Sequence, residues 1–214
     1  MNALIKRFTF ADLQKVSKKP QTGLFRSRLW SSIKWMINIF CLKKRIVRQI
    51  RKAEEIPVDK IMELFICLIE YANFRQIDVQ SEMTLSYPDF CIYCGLKPCG
   101  CTNPGIPRPL VRLERSQLKP DPKLSLSRFQ ARDFEVYPND RSYTAKLIRA
   151  LHLSEEVDEL VIEMFREIIK ESDLKKVMEE VIDCLERIIS VASTFNIDMA
   201  TVVAEHFNGT AISS

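Results

Sequence analysis

The chain has 214 residues, 46% apolar and 28% charged, with a formal net charge of +4. That length can bury a sizeable core as one large or two small domains, and only 5 glycines among long 3.6-period segments point to a mainly helical protein. The apolar run Trp35–Leu42 is bounded by Lys34 and Lys43-Lys44-Arg45 and falls far short of the ~20 residues of a membrane span, which excludes a membrane protein. With 7 cysteines and no secretory signal, the chain is expected in the reducing cytoplasm, where structural disulfides are rare.

The charge is divided unevenly. Residues 1–52 hold 14 Lys/Arg against the single acid Asp12, whereas residues 150–214 hold 14 Asp/Glu against 5 Lys/Arg. Intramolecular docking of the two ends is one reading, and a basic arm for nucleic acid or anionic lipid is the other.

Residues 1–23 read as an N-terminal arm: Phe8-Thr-Phe-Ala-Asp-Leu can begin a short helix, but Lys18-Lys19-Pro20 and Gly23 break it. From residue 24 to 51, Leu29, Ile33, Met36, Ile37, Phe40, Cys41, Ile46, Val47 and Ile50 predict a long amphipathic helix with a Lys/Arg outer face. Pro57 suits the first turn of the next helix, which is expected to bury Ile61, Leu64, Phe65, Leu68, Ile69 and Ala72. This first helical segment closes near residue 90.

Four cysteines then fall within residues 91–101 as Cys91-x-x-Cys94 and Cys99-x-Cys101. The first pair, followed by Gly95, has the shape of a zinc knuckle; the second is tighter than the usual spacing. A structural Zn²⁺ on Cys91, Cys94, Cys99 and Cys101, a redox or free-thiol cluster, and unbound structural cysteines are the three readings. Cys41, Cys67 and Cys184 fall at helical core spacing. Residues 102–140 carry six of the ten prolines interleaved with Arg and Lys, and are expected to be a linker, extended or disordered.

In residues 141–214, Leu153, Val157, Leu160, Val161, Met164, Ile168 and Ile169 recur at helical spacing, with Glu156, Glu159 and Glu163 on the adjacent stripe. A second helix is expected to open at Ser172-Asp173 and to bury Val177, Val181, Leu185, Ile188, Ile189 and Ala192, with Glu180 and Asp183 three apart. Packed antiparallel, the two helices can set two carboxylate pairs face to face. Like charges on one seam repel unless a cation lies between them, and Mg²⁺ is the natural filling.

The pattern Glu155-Glu156-x-x-Glu159, twenty residues, then Glu180-x-x-Asp183, followed by Asn196-Ile197-Asp198 and Glu205-His-Phe-Asn208, resembles the MazG-like all-α nucleoside triphosphate pyrophosphohydrolases, relatives of the dimeric dUTPases. The likeness covers roughly residues 141–209. It implies an all-α bundle and Mg²⁺ on Glu156, Glu159, Glu180 and Asp183. It also implies a nucleoside triphosphate substrate cleaved to monophosphate and pyrophosphate, and a homo-oligomer. Glu155, next to these ligands but turned about 100° around the helix, is a candidate to support a ligand or to orient the water, and reads also as a solvated surface glutamate. Lys146, Arg149, His152, Arg187 and Asn208 are candidate substrate contacts, although Arg187 at i+4 from Asp183 also reads as an ordinary helical salt bridge.

The chain further resembles itself at an offset of 120: Phe65 falls on Leu185, Ile69 on Ile189, Ala72 on Ala192, Ile77 on Ile197 and Asp78 on Asp198. The same offset places Glu156 and Glu159 opposite Met36 and Ile39, and Glu180 opposite Lys60, so residues 24–90 are expected to be a degenerate copy unable to hold Mg²⁺. A non-catalytic helical module that binds nucleotide or a partner is the alternative function. Nucleic-acid binding ranks last, because the basic runs lack interleaved aromatics.

Overall fold

A computed structural model describes residues 8–17, 28–52, 57–101, 118–138 and 141–212. Among them the protein is all-α, with eight helices and no strand: α1 Phe10–Val16, α2 Arg28–Arg51, α3 Val58–Arg75, α4 Val79–Ser86, α5 Leu126–Val136, α6 Tyr143–Ile168, α7 Leu174–Thr194 and α8 Met199–Ile212. The long helices α2, α3, α7 and α6 pack in a ring, each against the next, around one continuous apolar core, and the shorter helices flank it.

The helix starts follow from local chemistry. Thr9 and Asp12 form a reciprocal capping box on α1, and the side chains of Asp78, Ser125, Ser142 and Asp173 each accept from a backbone N–H of the first turn. Two helix ends are also alike. Gln76 (φ 59) after α3 and Asn196 (φ 61) after α7 are left-handed, and Ile77 N–H donates to the Ala72 carbonyl as Ile197 N–H donates to Ala192, both at 2.9 Å.

One glutamine braces each of these ends. Gln14 of α1 donates to the Ile77 carbonyl at 2.8 Å and accepts from Val79 N–H at 3.1 Å; Gln130 of α5 donates to Ile197 at 2.7 Å and accepts from Met199 N–H at 3.0 Å. The N-caps Thr9 and Ser125 pair in an antiparallel bridge where α1 and α5 meet, with Leu126 N–H donating to Phe8 at 2.6 Å. Helices α1–α4 and α5–α8 thus follow one order of elements, with a glutamine bracing the same junction in each set.

Three expectations need correction. The segment 1–23 is not wholly an arm, because Phe10 and Leu13 of α1 are fully buried and Phe10 meets Phe129 edge-on at 5.4 Å. The segment 102–140 is not wholly a linker: α5 lies in it and buries Leu126, Phe129 and Val136, while residues 102–117 lie outside the described ones. Short amphipathic helices flanked by Lys, Arg and Pro resemble linkers in composition; burial of one face decides otherwise.

The third correction concerns the inner face of α2. Ile37 and Phe40, expected inside, are 58% and 44% exposed, and Cys41 is exposed. The inner stripe is Ser32, Ile39, Ile46 and Ile50, joined by Lys43, whose ammonium is buried 2.7 Å from Asp158 of α6. An inward lysine with a carboxylate partner turns the helix away from its most apolar arc. The burial pattern of α2 matches that of α6 at an offset of 118, pairing Ser32 with Ala150, Ile39 with Val157 and Ile46 with Met164. Glu156 and Glu159 therefore correspond to Asn38 and Cys41 rather than Met36 and Ile39, still without a carboxylate.

Candidate metal centres

Helices α6 and α7 are antiparallel neighbours, and their register brings Glu156 beside Glu180 and Asp183. One carboxylate oxygen of each lies within 4.8 Å of the other two. The stripe positions Val177, Val181 and Leu185 hold that face of α7 against the core, so the carboxylates look along the α6–α7 seam at its half-buried margin. Oε2 of Glu180 is buried and has no hydrogen-bond partner among the described residues. Burial, reinforced by Asp183, Glu159 and Glu156, pushes Glu180 up to about 7. Burial also raises Asp183, and the hydroxyl of Tyr87, donating to its Oδ1 at 2.6 Å, opposes that rise.

The remaining candidates divide. Glu159 is exposed and outside the three-carboxylate group, although its charge acts on Glu180. Glu155 is exposed one position from Glu156. Arg187 does not bridge to Asp183: its Nε donates to Glu156 Oε1 at 3.1 Å and its Nη1 lies 3.0 Å from Glu186 Oε2. Arg149 is half-buried beside Glu186, Arg187 and Asp133. Burial lowers the pKa of His152, and the neighbouring Arg187 and Arg149 lower it further. Lys146 is elsewhere, with its ammonium 4.9 Å from the centre of the Phe195 ring at the far end of α7. Asn208 falls on α8, and its side chain lies outside the described residues.

Two residues of this neighbourhood, Asp133 and Glu186, went unread in the sequence. Asp133 and Glu186 are buried carboxyl groups, 5% and 1% exposed, whose charges act on each other and on Arg149 and Arg187. Burial raises both, and the charges of Arg149 and Arg187 oppose that rise. Tyr87 and Tyr137 complete the wall, and burial raises both phenols. Glu186 continues the three-residue spacing from Glu180 and Asp183, a signal that was available. Asp133 lies in the segment read as a linker, and nothing in its local sequence marks it.

The second cluster is made of sulfur. The four Sγ atoms of Cys91, Cys94, Cys99 and Cys101 lie within 4.8 Å of one another, with Cys91 to Cys101 at 3.7 Å and Cys94 to Cys99 at 4.0 Å. Gly95 takes φ 67, and its N–H donates to the Cys91 carbonyl at 2.7 Å, which turns the chain back toward the first sulfur. Gly100 N–H points to Cys94 Sγ at 3.4 Å and Cys101 N–H to Cys99 Sγ at 3.5 Å. This cluster could hold a metal ion such as zinc. Among the described residues no single helix is long and apolar enough to cross a membrane.

Compared with family models, with curated proteins and with solved structures, the chain matches none.

Proposed function

We propose that the chain is a Mg²⁺-dependent nucleoside triphosphate pyrophosphohydrolase of the MazG-like kind, adding water across the α–β phosphoanhydride to give a monophosphate and pyrophosphate. The observation that carries this reading is the convergence of Glu156, Glu180 and Asp183 from two helices, with an unpartnered buried oxygen on Glu180. Three hard oxygen donors at one point fit a hard divalent cation, and no lysine of either helix pairs with them.

In this reading Glu156, Glu180 and Asp183 hold the ion, with Glu159 on the solvent side completing the set. When bound, Mg²⁺ neutralises the triphosphate and lowers the pKa of its water. Tyr87 fixes the rotamer of Asp183 through its 2.6 Å hydrogen bond. Arg187 holds Glu156 through its 3.1 Å contact, and it and the half-buried Arg149 are the cationic groups this reading assigns to the polyphosphate. Burial, and then Arg187 and Arg149, disfavour a charge on His152, which suits it to accept a hydrogen bond rather than to pair with phosphate. Glu155, being exposed, would reach a substrate water only from the outer edge of the seam.

The test is release of pyrophosphate from a panel of NTPs and dNTPs with Mg²⁺, using wild type, Glu180→Gln and Asp183→Asn at matched helicity. Turnover lost in both variants supports the reading, and turnover unchanged in both sinks it. The observation that favours a non-catalytic helical module instead is that Arg187 already neutralises Glu156 without a metal. That module would give no pyrophosphate from any nucleotide.

A further inference from the structure

We propose that Cys91, Cys94, Cys99 and Cys101 bind one zinc ion, and that this ion staples the end of the first half of the bundle to the first helix of the second. Zinc–sulfur bonds of about 2.3 Å in a tetrahedron separate the sulfurs by about 3.8 Å. The observed 3.7 and 4.0 Å separations match that edge, whereas a disulfide would require about 2.05 Å. The backbone amides of Gly100 and Cys101 aimed at Cys94 and Cys99 supply the N–H···S donors that stabilise thiolates around a metal. Binding deprotonates the thiols and releases their protons to solvent while Zn²⁺ takes the four sulfur lone pairs; no electron is transferred.

The staple role follows from where the knuckle is tied. Cys99 N–H donates to the Val136 carbonyl at the end of α5, at 2.7 Å. Lys97 of the same loop spans Asp89, at 2.5 Å, and Glu135 of α5, at 2.6 Å. On the other side of the loop, Arg132 of α5 donates to the Tyr87 carbonyl at 2.7 Å, four residues before Cys91. The knuckle thus closes a triangle of α4, the cysteine loop and α5. One corner bears on the carboxylate cluster, where the Tyr87 hydroxyl donates to the half-buried Asp183 at 2.6 Å, and Tyr137, the residue after Val136, lies beside Cys91. Eleven residues with no helix or strand of their own hold this geometry, so a metal is the natural source of their order.

This inference does not rest on the hydrolase reading, and its test reads metal and exchange rather than turnover. Protein purified without chelator is expected to carry about one zinc per chain by elemental analysis. Exchange for Co²⁺ is expected to give the intense visible bands of a tetrahedral thiolate site. Cys94→Ser and Cys99→Ser should lose both signals, while Cys41→Ser and Cys184→Ala should keep them. Because a cysteine variant can fail to fold, hydrogen exchange is also measured on wild type before and after zinc is stripped by chelator. The amides of Cys99 and of α5 are expected to exchange at least tenfold faster after stripping, with α3 unchanged. A folded protein without zinc, with the four thiols free or paired as disulfides, overturns the site. Zinc retained in Cys94→Ser and Cys99→Ser also overturns it, and α5 exchange insensitive to stripping overturns the staple.

Discussion

Where α7 carries Glu180, Asp183, Glu186 and Arg187, α3 carries Lys60, Glu63, Ile66 and Cys67 at positions 120 residues earlier. In α3 the charges close on themselves: Lys60 lies 2.6 Å from Glu63 and 3.2 Å from Asp59 at the surface, and Cys67 is buried. In α7 the carboxylates turn inward along the seam, raised by burial and by one another. Yet the braces that shape the fold are common to both halves, from the left-handed residues at 76 and 196 to the glutamines at 14 and 130. None of these braces involves the acidic cluster. A half-buried group of like charges costs stability, so its presence in one half needs a reason other than folding. The reason we propose is a cation ligand.

The largest contrast between the halves is expected in activity. Asp183→Asn should lower pyrophosphate release by on the order of a hundredfold or more, as removal of a group acting on the reacting centre does, whereas Glu63→Gln should leave it within about twofold. Equal losses from both changes would abolish the distinction.

Next comes stability, where the halves should behave alike. Phe10→Ala and Phe129→Ala, which remove the two rings that meet between α1 and α5, are each expected to cost about 3–5 kcal/mol in chemical denaturation. A loss below about 1 kcal/mol at either would mean that its helix is not part of the core. Gln14→Ala and Gln130→Ala should each cost about 1–3 kcal/mol, by matched amounts, because each strands a backbone donor and acceptor at a helix junction. The smallest effects belong to the left-handed positions: Gln76→Gly is expected to stabilise by up to about 1 kcal/mol and Asn196→Gly by less, since asparagine already tolerates that conformation. Thermal melts of the two variants read this difference directly.

Much of the architecture was legible because it repeats at helical period. The stripe Val177, Val181, Leu185, Ile188, Ile189 and Ala192 is buried throughout, and α7 is capped by Asp173 as its sequence predicts. The inner face of α2 was not legible, because Lys43 spends its charge on Asp158, more than a hundred residues away, a pairing that no local pattern contains. Segments holding α1 and α5 were read as arm and linker for a related reason: each helix is short, and the bridge between Thr9 and Ser125 and the edge-on contact of Phe10 with Phe129 make them core. At the candidate site, i,i+3 spacing brought out Glu156, Glu180 and Asp183. It also brought out Glu159, which is exposed and lies outside the three-carboxylate group, and could not reveal Asp133, which lies on α5. The cysteine cluster was legible as a cluster, and its attachment to Val136 and Tyr137 was not.

The most direct measurement is calorimetric titration of the metal-free protein with Mg²⁺, and with Mn²⁺ as a second probe, at pH 7.5 and pH 5.5. Glu180 is held near 7 against an ordinary value of 4.5, so between those limits the folded protein keeps a proton that the unfolded chain has lost, and protons compete with the cation. Saturable binding at pH 7.5 is predicted, several-fold weaker at pH 5.5 and absent in Asp183→Asn. Heat that is no different in Asp183→Asn, or no saturable binding at millimolar cation at either pH, would contradict a divalent site between α6 and α7.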